Sequence, residues 1–158
     1  MKKLFAGIIA SLLIAGIASA QCSEAAVSKL VRRLDRANST LFKSNVKIEN
    51  LEIQRQTFVD RKESRLAYLR AQRAQHYIDI ATTNALPYCL SYPGQCVTQV
   101  SNLNQSILQV NKSIANIERQ FDRKIAKCDS SITKLATVTI PAQEATVAML
   151  ESKIAACN

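Results

Sequence analysis

The sequence predicts an all-α protein: a long antiparallel helical hairpin of coiled-coil type, stapled by disulfides, with a bend or break near Pro141. Three observations predict it. Apolar residues recur at steps of three and four along most of the chain, the spacing that sets side chains along one stripe of a helix. Only three glycines and three prolines interrupt 158 residues, so long uninterrupted elements are expected. Two of those prolines fall close together between two cysteines or beside them, which gives the chain one obvious place to turn. A three-helix bundle is the alternative, reached if the chain reverses at Pro141.

Residues 1–20 are expected to stand apart from the fold. Lys2 and Lys3 form a short positive n-region of bacterial type, and Leu4 to Ile17 is an apolar run of about fourteen residues, the length of a signal-peptide h-region. Ala18-Ser19-Ala20 is a small-x-small cleavage site. A spanning helix needs about 20 apolar residues, and polar Gln21, Ser23 and Glu24 follow at once. Gln21 also stands where a lipobox would place a small residue, which disfavours lipidation of Cys22. The expected mature chain is 21–158, a single helical domain with no transmembrane segment, exported to the periplasm or secreted. Loss of Lys2 and Lys3 takes the formal charge from +9 to +7.

The first helix is expected over about 23–84. Val27, Leu30, Leu34, Ala37, Leu41, Ile48, Leu51 and Phe58 fall on one seam, broken only by Ser44 and Arg55. Leu66, Leu69, Tyr77 and Ile80 continue it after a phase slip of about four residues, which resembles a stutter. Ser23 is a suitable N-cap. Leu86 precedes Pro87 and is pushed out of helical dihedrals. At 1.5 Å per residue such a helix is roughly 90 Å long. A disulfide loop is expected over about 86–97, with Pro93-Gly94 as its turn.

A second helix is expected over about 98–137. Val100, Ile107, Ile114, Phe121, Cys128 and Leu135 are spaced by seven, with Leu103, Val110 and Ile117 between them. Beyond Phe121 the stripe drifts as Ile125 and Ile132 replace Lys124 and Ser131. The β-branched run Thr137 to Ile140 and Pro141 mark the break, and a last helix over about 141–157 follows, its segment having Ile140, Val147, Leu150, Ile154 and Cys157 as its seam.

Five cysteines follow residue 20, and in an exported chain an even subset pairs. Cys89 and Cys96 flank the turn and are expected to bridge. The arms Cys22-to-Cys89 and Cys96-to-Cys157 are nearly equal in length, so Cys22 meets Cys157 if the chain continues past Pro141. If it reverses there, Cys128 pairs with Cys157 instead. In the favoured pairing Cys128 is left over, as a small apolar residue on the seam.

No arrangement points to catalysis. His76 is the only histidine and sits among Arg70, Gln72, Arg73 and Gln75, which reads as a solvated helix position. Glu49 with Glu52, and Asp60 with Glu63, are spaced by three but have basic neighbours Lys47, Arg55, Arg61 and Lys62. They read as intrahelical ion-pair partners. No phosphate-cradling glycine loop is present, and no cysteines have zinc-knuckle spacing. No enzyme activity, cofactor or metal is therefore expected.

Two surfaces are candidates for binding. Arg61, Lys62, Arg65, Arg70 and Arg73 form a basic stripe suited to anionic polymers or lipid headgroups. Arg55, Lys62 and Arg65 also fall inside the seam, roughly opposite Glu118 and Asp122. Tyr88 and Tyr92 make the hairpin tip a candidate contact site. Off-seam Val31, Phe42, Ile53 and Val59 favour self-association as a dimer. The expected function is that of a non-catalytic envelope protein binding another macromolecule, as a scaffold, adaptor or chaperone-like holder. The alternative is a surface-active protein engaging anionic lipid or polysaccharide through its basic face. Nucleic acid is disfavoured by the compartment. The plan resembles that of periplasmic chaperones with long basic helical tentacles. Those also carry strands forming a β body, and no strand pattern is found here, so no residue is carried over.

Overall fold

A computed structural model describes residues 22–157; the expected signal peptide at 1–20 lies outside the described residues. These form four α-helices and no strand. Helix α1 spans Glu24–Ala85, α2 Pro87–Ser91, α3 Pro93–Lys134 and α4 Ile140–Ala155, with a π-helical turn at Leu135–Thr139 between α3 and α4. The chain divides into two compact units, Phe42–Ala142 and the stretch up to Leu41 together with Gln143 onward.

Helix α1 starts where Ser23 caps it. The Ala26 backbone N–H donates to Ser23 Oγ at 3.3 Å, satisfying one of the orphan donors of the first turn. It ends because Pro87 forces Leu86 into an extended conformation, φ −64° and ψ 134°, which breaks the helical path. Its 62 residues correspond to roughly 93 Å of helix axis.

The expected loop at 86–97 is mostly helix. Pro87 and Pro93 each sit in the first turn of a helix, where a missing N–H costs nothing and φ is already set. Only Leu86 and Tyr92 are non-helical between α1 and α3. Gly94 lies in the first turn of α3 without a positive φ, so Pro93-Gly94 opens a helix and is not a turn. The Cys89–Cys96 disulfide ties α2 to α3, with Cα atoms 5.7 Å apart.

Within the larger unit, α1 from Phe42 runs antiparallel to α3. Buried on the two facing stripes are Ser44, Leu66 and Thr83 of α1, and Ile107, Val110, Phe121 and Cys128 of α3. Burial follows alternating steps of three and four except at one level on each helix. On α1 the stripe steps Phe58, Lys62, Leu66; on α3 it steps Ile117, Phe121, Ile125. Two successive steps of four are a stutter, which locally unwinds a supercoil. The two stutters lie level with each other, since Phe58 and Phe121 meet edge to face at 6.4 Å. Each helix shifts phase at the same height, so the seams stay opposed.

Past this slip the α1 stripe is more polar than the apolar spacing implied. Tyr77, expected on the seam, is exposed, and His76, expected in solvent, is half-buried. Arg73, His76, Ile80 and Thr83 hold the seam positions. His76 Nδ1 is buried without a hydrogen-bond partner among the described residues and lies 4.0 Å from Asp79 Oδ2.

The break expected near Pro141 takes the form of the π turn. A proline ring clashes with the carbonyl four residues back and supplies no N–H to it, here at Thr137. Widening the helix relieves this: Ile140 N–H bonds to the carbonyl of Leu135, five residues earlier. Thr137 Oγ1 donates to the Thr133 carbonyl at 2.8 Å, giving a carbonyl near the disturbance a side-chain partner. No non-helical residue separates α3 from α4.

In the smaller unit, Val27, Leu30, Leu34, Ala37 and Leu41 of α1 are half-buried, as are Gln143, Val147 and Ile154 of α4, while Leu150 is buried. The Cys22–Cys157 disulfide joins its two segments, with Cα atoms 5.1 Å apart. Cys128 is the free cysteine among the described residues.

Candidate functional site

The two candidate surfaces fare differently. The basic stripe is largely occupied by the fold. Lys62 Nζ bonds to Asp122 Oδ1 at 2.6 Å, Arg70 Nη2 lies 3.9 Å from Glu118 Oε1, and Arg73 Nη1 donates to Asn111 Oδ1 at 3.0 Å. The Arg65 guanidinium stands 5.7 Å above the Phe121 ring. Arg61 alone of the five has neither an ion pair, a hydrogen bond nor a ring contact to α3 among the described residues. Farther along, Arg55 Nε donates to Asp129 Oδ1 at 2.6 Å. The carboxylates Glu49, Glu52 and Glu63 make no intrahelical ion pair among the described residues, and Asp60 accepts from Gln56 at 2.8 Å. The basic residues nearest the seam reach across it because α3 presents its acids at the same levels.

These cross-helix pairs fix register more than they stabilise, since partly exposed pairs contribute about 0–1 kcal/mol. Lys62→Glu is expected to cost no more than about 1 kcal/mol more than Lys62→Ala, the excess being repulsion from Asp122. Asp122→Lys in the same chain restores it. Urea melts of the two singles and the double check this; no rescue by the double would show that the pair does not set register.

The tip has a different character. No Asp, Glu, Lys, Arg or His occurs between Asp79 and Lys112, although charged residues make up 21% of the chain. Within that interval Leu86, Tyr88, Leu90, Tyr92, Val97 and Leu108 are all exposed. The Tyr88 and Tyr92 rings stand 6.1 Å apart, tilted by 50°, held at either end of α2 by the Tyr92 N–H bond to the Tyr88 carbonyl. Beside them is an open groove of about 490 Å³, floored by the buried Cys89 and Cys96 and lined by Val97, Val100 and Leu108 with the amides of Asn84, Asn104 and Gln105. The disulfide and two helix-starting prolines restrict the backbone conformations open to this segment, and such restriction lowers the entropic cost of binding.

This uncharged interval is legible in the sequence, as an absence, but gains meaning only once α2 places it at one end of a hairpin. A second feature also escapes a search for charge density near the seam. Lys29, Arg32, Arg33 and Arg36 are all exposed on the smaller unit's part of α1 and make no ion pair among the described residues.

Cys128 is 4% exposed and its Sγ lies 3.9 Å from Gln54 Oε1. Among the described residues no three His, Cys, Asp or Glu side chains are grouped to hold a metal ion. No described helix is long and apolar enough to cross a membrane. No protein-family model, curated relative or solved structure matches the chain.

Proposed function

We propose that this is an exported, non-catalytic protein that binds another protein through its hairpin tip, serving as a scaffold, adaptor or chaperone-like holder. The observation that carries the reading is the tip itself: an uncharged surface with six exposed apolar side chains, two of them tyrosines. Protein interfaces are depleted of charge at their centres and enriched in tyrosine. Export is supported by the n-region, h-region and cleavage site at 1–20, and by two disulfides, which persist in oxidising compartments. The alternative, an anionic surface held by Arg61 to Arg73, is weakened by the ties that four of those five side chains make to α3.

Photo-cross-linking in the native envelope tests the reading, with probes at Tyr92 and at Arg70. Capture of one defined protein at Tyr92, lost in Tyr88→Ala/Leu90→Ala and absent at Arg70, is the expected outcome. Capture of a second copy of this chain makes the tip a dimer contact. Lipid or glycan captured at Arg70, with nothing at Tyr92, would overturn the proposal.

A further inference from the structure

Lys29, Arg32, Arg33 and Arg36 form a coherent face. At 100° per residue their side chains leave α1 within an arc of about 100°, centred roughly 120° from the seam. Asp35, the one acid between them, falls outside that arc. All four are exposed, and together they line one shallow open groove. Among the described residues the Arg32 guanidinium reaches only the Ser28 hydroxyl, at 3.2 Å. These cations therefore differ from those at Lys62 and Arg70, whose charge is answered by carboxylates of α3.

We propose that this face is a docking surface for a membrane rich in anionic phospholipid. Charge complementarity selects the occupant. Clustered Lys and Arg on one side of a helix attract anionic headgroups, and their long flexible stems let all four charges reach one plane. The arc carries no Tyr, Phe or His, so it lacks the ring platform on which a sugar would stack. It also lacks a large apolar side chain to insert between acyl chains. The contact is electrostatic, reversible and screened by salt. It is separate from the tip and does not depend on the protein-binding reading.

The test is co-sedimentation of the disulfide-bonded protein with large vesicles of phosphatidylcholine, with and without phosphatidylglycerol, at low and high salt. Binding is expected only with phosphatidylglycerol, and is expected to fall at least tenfold in high salt. Arg32→Glu/Arg33→Glu should weaken it at least tenfold, while Arg119→Glu/Arg123→Glu, which changes net charge equally at two exposed positions of α3, should weaken it less than threefold. Helix content measured by circular dichroism verifies that each variant is folded. Equal loss in the two variants reduces the effect to net charge and overturns the proposal. So does equal binding to pure phosphatidylcholine, or binding to soluble polyphosphate without binding to vesicles.

Discussion

Replacing Cys22 and Cys157 with serine is expected to destabilise the protein by about 5 kcal/mol, and replacing Cys89 and Cys96 by about 2 kcal/mol. The difference comes from the unfolded state. The first bridge spans 135 residues and the second spans 7, and in the chain-entropy model the stabilisation grows with the logarithm of the loop closed. The folded state adds to it. The smaller unit has Leu150 as its buried apolar residue and otherwise half-buried seams, so its segments gain little from burial once untied. Melting monitored by circular dichroism should therefore fall by roughly 10–20 °C for Cys22→Ser/Cys157→Ser. Amide exchange should rise across Cys22–Leu41 and Gln143–Cys157 and change less between Leu51 and Ile132. Equal losses from the two double variants would refute the loop-length account. Unchanged exchange in the smaller unit would show that its seam holds without the staple.

Heptad spacing located α1 and α3 because both seams are built mainly from apolar residues, and burial follows those residues closely up to Phe58 and up to Phe121. Beyond Phe58 the spacing holds at Leu66, Leu69 and Ile80 but misleads at Tyr77. Arg73, His76 and Thr83 occupy stripe positions, and a search for apolar periodicity skips them in favour of Tyr77, one residue away. The phase slip was visible on each helix separately. That the slips face each other was not, because register comes from contacts across the hairpin. Pro87 ends α1 where expected, but the loop expected around Pro87 and Pro93 is mostly helix, for a related reason. Proline ends the helix before it and equally suits the first turn of the next one, and the sequence does not say how few residues separate the two. Charge posed the same difficulty. Density marked Arg61 to Arg73, but which cations lack a carboxylate opposite is a tertiary fact.

The paired stutter predicts where the larger unit is most sensitive. Phe121→Ala is expected to cost about 3–5 kcal/mol, the range for removing a buried aromatic ring. Phe121 is 5% exposed and meets Phe58 edge to face. The Arg65 guanidinium lies 5.7 Å and the Lys124 ammonium 5.5 Å from its centroid. One ring thus fills the level where both helices change phase and takes up the Arg65 cation, while it shares Lys124 with Phe58, whose centroid lies 5.4 Å from the ammonium. Phe58 is half-buried, so Phe58→Ala should cost less, and a double-mutant cycle should return a coupling of about 0.5–1.5 kcal/mol. Phe121→Leu separates volume from ring chemistry. It keeps most of the apolar bulk and should lose under about 1.5 kcal/mol from packing, plus about 0.5–1 kcal/mol for each cation that depended on the ring face. Urea unfolding of the four variants decides the matter. A loss below about 1 kcal/mol for Phe121→Ala would mean that the helices close over the gap, and that the shared phase shift is tolerated without a ring to fill it.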